Sequence, residues 1–286
     1  MSFLDPASVT PTRPWVKSLA RCYQYSPLPF KKQSIKAAKK LTDTKFVLIA
    51  CMPKSGSTFI ANNLACLPSW RKQSLKVLSP ANICNLYSLR ANTVFQSHLY
   101  PTDFCETRKT INEFPFHIVV LTRNIQDVIP STIDHWDKYQ PVKRAGWIDK
   151  GQFGQLLADK LDREGLASKV RFVALCMLPW YLEFFASWSR FSATVRPVQF
   201  LRYEDWIANP KSTLFDIASA VDGNVSITDI ERVMSRSIQS RFNRGIAGRG
   251  DMVPAELRDH LELLMSYYPD VDFSPVYNFR NRTSTI

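Results

Sequence analysis

The apolar positions of this chain gather into short unbroken runs set between longer stretches of mixed polarity. Phe46-Val47-Leu48-Ile49-Ala50-Cys51 is apolar throughout, long enough for a strand, shorter than a typical helix, and without the alternation of a strand that has one wet face. It predicts a strand buried on both sides. Comparable runs recur at Thr93-Val94-Phe95, His117-Ile118-Val119-Val120-Leu121 and Pro197-Val198-Gln199-Phe200-Leu201. Helix-like segments separate them, and this alternation predicts an α/β fold with a parallel sheet flanked by helices. Phe59 to Leu67 reads as a helix stopped by Pro68. Phe172 to Phe191 carries Trp180, Tyr181, Phe184, Phe185 and Trp188 at mixed helical spacing, which predicts core packing for most of these rings. No internal repeat or low-complexity tract is present.

At 286 residues with 45% hydrophobic side chains, the chain can bury a sizeable core, and a single domain is expected over residues 1–286. Residues 1–44, rich in proline and lysine, read as an N-terminal surface arm, and Arg280 to Ile286 as a solvated end. The formal net charge of +12 suits a polyanionic ligand, nucleic acid or an anionic membrane. Cysteines 22, 51, 66, 84, 105 and 176 form no Cys-x-x-Cys pair and no metal-like cluster with the four histidines. That spacing signals neither a zinc site nor a disulfide framework, and a reducing, cytoplasmic setting is expected. Met1 to Pro14 lacks the charge and apolar core of a signal segment, and no apolar run approaches the roughly 20 residues of a membrane span. The expectation is a soluble protein.

The chemistry concentrates where the first apolar run empties into Pro53-Lys54-Ser55-Gly56-Ser57-Thr58. A strand, a tight loop and a helix start present unpaired backbone N–H groups and a positive dipole end to a phosphate. Lys54 adds a cation, and the hydroxyls of Ser55, Ser57 and Thr58 add donors. This is not a Walker A sequence, because the lysine precedes the loop's only glycine. A second strand end, Thr122-Arg123-Asn124-Ile125-Gln126-Asp127, places Arg123 at the mouth of a strand-to-helix turn that Asn124 can cap. There an arginine can grip a phosphate with paired hydrogen bonds, and Ser131, about two helical turns on, can donate to the same anion. Taken alone, the segment equally suits a surface arginine paired with Asp127.

Taken in order, Pro53-Lys54-Ser55-Gly56-Ser57-Thr58-Phe59, Arg123 with Ser131, Arg202-Tyr203-Glu204-Asp205, and Asn243-Arg244-Gly245-Ile246-Ala247-Gly248 resemble the cytosolic-type sulfotransferases from about Phe46 to Asp251. That family uses 3′-phosphoadenosine-5′-phosphosulfate and has a P-loop-kinase-like fold. The resemblance implies that Lys54, Ser55, Gly56, Ser57 and Thr58 hold the 5′-phosphosulfate. Phe59 takes the place of a tryptophan that stacks on the adenine, and Tyr203 matches a tyrosine near it. Arg123 and Ser131 match the pair on the 3′-phosphate, Arg244 and Gly245 the loop that closes over it, and Ser237 a further nucleotide contact.

His98, in Phe95-Gln96-Ser97-His98-Leu99, stands where the family carries its catalytic base; His117, His135 and His260 have no such context and are read as structural. Gln96 replaces a frequent second lysine, and the family's C-terminal dimer signature is not recognisable. The reading is a metal-free sulfuryl transfer to a hydroxyl or amine of a small-molecule acceptor, with His98 as base, Lys54 stabilising charge on the departing bisphosphate, and some rings around Trp180 lining the acceptor pocket. No nucleic acid or membrane partner is expected. Two rivals are a magnesium-dependent phosphotransferase, whose metal ligands and γ-phosphate site are not found at Walker spacing, and a nucleic-acid-binding protein, for which no usual motif is found.

Overall fold

Every residue of the first strand, β1 (Phe46–Cys51), is buried, so its period-two geometry feeds two cores at once. Phe46, Leu48 and Ala50 enter one, and Val47, Ile49 and Cys51 the other. Each fully buried aliphatic side chain of this size contributes about 1.5–3 kcal/mol, so a one-residue slip would be costly on both faces. The computed structural model describes residues 45–74, 92–101, 111, 116–138, 161–236 and 248–278. β1 lies at the centre of a sheet with β2 (Trp70–Ser74), β3 (Asn92–Ser97), β4 (Phe116–Thr122) and β5 (Gln199–Arg202), in the order β2-β3-β1-β4-β5. All four pairings are parallel.

Among the described residues eight α-helices accompany the sheet: α1 (Ser57–Ala65), α2 (Ile125–Lys138), α3 (Leu166–Cys176), α4 (Leu178–Thr194), α5 (Tyr203–Ala208), α6 (Pro210–Ser219), α7 (Ile227–Arg236) and α8 (Ala255–Ser266). One core holds Ile125, Val128 and Ile129 of α2, the rings of α4, and Leu257, Leu261 and Met265 of α8. The other holds Ile60, Ala61 and Leu64 of α1 with Trp206, Leu214, Ile217, Ile230 and Val233 of α5, α6 and α7. The parallel sheet covered on both faces matches the expectation from the apolar runs.

Three details differ from that expectation. β2 was not anticipated, because Trp70-Arg71-Lys72-Gln73-Ser74 is polar; it is an edge strand, where exposed Arg71 suits the solvent. The helix after the first loop runs from Ser57 to Ala65, ending before Leu67 with Cys66 as its C-cap. The expectation that no apolar run reaches membrane-span length fails for Leu166–Thr194, which is long and apolar enough by length and composition. The stretch is two helices joined at Met177, and core packing accounts for its apolar character: Tyr181, Leu182, Phe184, Phe185 and Trp188 are buried.

Candidate functional site

The chain leaves β1 for β2 and β3 on one side and takes β4 and β5 on the other. Such a reversal opens a crevice at the carboxyl ends of the central strands. Lys54 follows β1, His98 is the first residue past β3, Arg123 the first past β4, and Tyr203 the first past β5. Positions far apart in sequence therefore line one edge, because parallel register aligns the strand ends: Cys51 pairs with Leu121, Ala50 with Ser97, and Thr122 with Arg202.

The loop after β1 is strained and tightly held. Lys54 (φ 68°) and Gly56 (φ 78°) both occupy the left-handed region, which is costly for a lysine and persists only when the surroundings impose it. Arg123 donates from an Nη to the Lys54 carbonyl at 2.9 Å. Trp206 donates from Nε1 to the Ser55 carbonyl at 3.2 Å, and Tyr181 from its hydroxyl to the Pro53 carbonyl at 3.4 Å. A Cβ on Gly56 would collide with the Trp206 ring, so glycine is required by both conformation and space. Helix α1 starts without a side-chain cap, leaving its N-terminal dipole directed at whatever the loop holds.

The three loop hydroxyls divide. Ser55 is fully buried and donates to the Met52 carbonyl at 2.6 Å, so its hydroxyl is spent inside the loop. Ser57 and Thr58 instead accept from the side-chain amide of Gln96, at 2.8 and 3.2 Å. Phe59 stacks against Trp206, ring centroids 5.5 Å apart and planes 17° from parallel. Sequence reasoning missed Trp206; the signal was its spacing of three from Tyr203, which puts both aromatic rings on one face of α5.

Arg123 and Ser131 meet as expected: the guanidinium reaches the Ser131 hydroxyl at 3.2 Å and lies over the Tyr203 ring, 4.2 Å from its centroid. The alternative of a surface arginine paired with Asp127 is set aside, since Arg123 is only 4% exposed and both Asp127 oxygens take backbone amides, those of Gly248 and Gly250, each at 2.6 Å. Burial pulls the guanidinium below its ordinary range, opposed by Tyr203, Asp127 and Glu204; it stays charged at any ordinary pH. Asn124 caps α2, accepting from the N–H groups of Gln126 and Asp127 at 2.9 and 3.4 Å. The helix runs on through Pro130.

His98 is exposed on its outer side, while its Nδ1 edge packs on β1. Nδ1 is 2.8 Å from the Cys51 carbonyl and 3.5 Å from the Cys51 sulfur. A carbonyl only accepts, so Nδ1 carries the hydrogen and Nε2 is the basic nitrogen. Desolvation of the packed edge works against the imidazolium, but the Cys51 sulfur, through its hydrogen bond and negative charge, and the Cys51 carbonyl outweigh it, raising the pKa to about 9. Trp180 sets its ring edge-on to His98 at 6.5 Å and to Tyr100 at 5.9 Å. Of the rings on α4, Trp180 alone is half-buried; the other five are core. His117 pairs with Gln199 between β4 and β5, a structural role. Ser237, Arg244 and Gly245 lie outside the described residues.

A sequence model of the sulfotransferase domain matches residues 44–243 of the chain. Among solved structures, mouse sulfotransferase SULT7A1 complexed with PAP is similar over 80% of this chain and 86% of that one, at 14% identity and a TM-score of 0.57. Retinol dehydratase in complex with androsterone and inactive cofactor PAP aligns over 94% of this chain and 88% of its own, at 14% identity and a TM-score of 0.49. No curated relative matches by sequence.

Proposed function

The chain belongs to the sulfotransferase domain family, and from that premise we propose that it moves a sulfuryl group from 3′-phosphoadenosine-5′-phosphosulfate to a hydroxyl or amine of a small-molecule acceptor. One observation carries the nucleotide part of this reading. The Arg123 guanidinium bonds both the Lys54 carbonyl and the Ser131 hydroxyl, so the anion loop and the pair assigned to a second phosphate form one connected unit. A ligand with phosphates at two positions of one nucleoside fits such a unit.

The donor would supply an activated sulfuryl group on a bisphosphate leaving group. Lys54, Ser57, Thr58 and the amide groups at the start of α1 hold the 5′ end, and Arg123 with Ser131 the 3′-phosphate, joined by Arg244, Gly245 and Ser237 from the later segment. Phe59 and Tyr203 supply the aromatic surface for the base. His98 takes the proton from the acceptor at Nε2, and Lys54 meets negative charge growing on the departing oxygens. Trp180 beside His98, with Tyr100 against Trp180, favours an apolar or planar acceptor. The chain acts as one domain in a cytoplasmic setting, in keeping with free thiols at Cys51, Cys66 and Cys176.

Calorimetry tests the nucleotide assignment. Adenosine 3′,5′-bisphosphate is expected to bind about tenfold or more tightly than AMP, the range of one charge-assisted phosphate contact. Equal affinities would remove the 3′-phosphate site.

A further inference from the structure

We propose that Gln96 is a positioning residue that fixes the hydroxyls of Ser57 and Thr58 as hydrogen-bond donors toward the anion in the loop after β1. The inference rests on the nucleotide reading above and adds to it a residue with no assigned role.

The geometry dictates the direction of each bond. Gln96 lies on β3 one register step below the strand end, paired with Ile49 of the central strand. Strand alternation puts it on the same side as Val94, whose core packs α1, with Gln96 itself half-buried at the rim. Its amide nitrogen is 2.8 Å from the Ser57 Oγ and 3.2 Å from the Thr58 Oγ1. An amide nitrogen carries two hydrogens and accepts nothing, so both hydroxyl oxygens must be acceptors in these contacts.

A hydroxyl has one hydrogen. Once its oxygen is occupied by an incoming N–H, that hydrogen is released to donate elsewhere. The neighbouring Ser55 shows the contrast, because its hydrogen is committed to the Met52 carbonyl. Ser57 and Thr58 open a helix whose first N–H groups have no side-chain cap, so two hydroxyl donors and the helix dipole share one location. Setting the hydroxyl rotors before the ligand arrives removes part of the ordering cost of binding. It also occupies one of the two lone pairs on each oxygen, so fewer rotamers aim a lone pair at an anion. Gln96 thus does by orientation what a cation at this place would do by charge.

A mutant cycle read by calorimetry with adenosine 3′,5′-bisphosphate tests this. Gln96→Met keeps the length and removes the donor; binding is expected to weaken about fivefold, within the range of a net hydrogen bond. Gln96→Lys restores an N–H donor and should recover the loss. In a Ser57→Ala/Thr58→Val background, Gln96→Met should change affinity less than twofold, because the hydroxyls through which it acts are gone. A full fivefold loss in that background would overturn the proposal, as would unchanged binding by Gln96→Met alone. Thermal melting of each variant identifies a loss caused by unfolding. If Gln96→Met unfolds, Gln96→Glu replaces it: its carboxylate accepts from both hydroxyls, and wild-type affinity in that variant would equally overturn the proposal. Wild-type protein that bound no bisphosphate would instead bring down the nucleotide reading, and this inference with it.

Discussion

The anion loop and the candidate base sit on the same sheet edge, yet they are held in opposite ways. The loop is gripped through its own backbone: Arg123 from the end of β4, Trp206 from α5 and Tyr181 from α4 each bond a different carbonyl of Pro53-Lys54-Ser55. His98 is fixed through Nδ1, which meets the Cys51 carbonyl, while its outer side is exposed. The difference separates two tasks. A loop that binds a highly charged ligand gains from being rigid before the ligand arrives, since donors that need no reorganisation act at full strength. A base must face a substrate and lose and regain a proton, so it needs one fixed nitrogen and one accessible one.

The largest effect that can break this comparison is a split between rate and binding. His98→Ala is expected to lower turnover by about a hundredfold or more while leaving bisphosphate affinity nearly unchanged. Lys54→Ala should lower both, because the same lysine acts on the bound and the departing anion. Steady-state kinetics with calorimetry reads the two together. A His98 variant that kept most of its turnover would make the histidine structural.

A smaller effect sharpens the account of the loop. Gly56→Ala must place a side chain at φ 78° and against the Trp206 ring. Strain and overpacking together are expected to cost about 2–4 kcal/mol in urea unfolding, with loss of bisphosphate binding. A stability within about 0.5 kcal/mol of wild type would mean that the loop is not braced by Trp206.

The gentlest probe is pH. A base must be deprotonated to act, so a pKa of about 9 at His98 predicts that kcat/KM climbs between pH 7 and 9. The same raised value favours the folded chain below the ordinary histidine value of 6.5, a contribution lost as pH rises through about 9. Cys51→Ala removes the sulfur at 3.5 Å and should move the rising limb to lower pH. A wild-type profile already centred near 6.5 would show that Cys51 does not tune the base.

Local patterning determined much of this protein. The unbroken run Phe46–Cys51 predicts a strand buried on both faces, as found, and Lys54, Gly56 and Ser57 behind it bring to a helix start the donors that an anion loop needs. Asn124 capped its helix for a reason within three residues of itself. Packing, by contrast, sets how side chains reach across strands. Gln96, which stands where the resembled family often carries a lysine, becomes the partner of two loop hydroxyls 38 and 39 residues away. Trp206, part of an ordinary charged segment, braces a carbonyl 151 residues earlier. Ser55, one of three equivalent hydroxyls on paper, is consumed by its own loop. β2 is legible only as the neighbour of β3, since an edge strand has one buried partner and little need for apolar residues. Periodicity records which face of an element is buried; which atom a polar group meets depends on strand order and register, and those are settled by packing the whole chain at once.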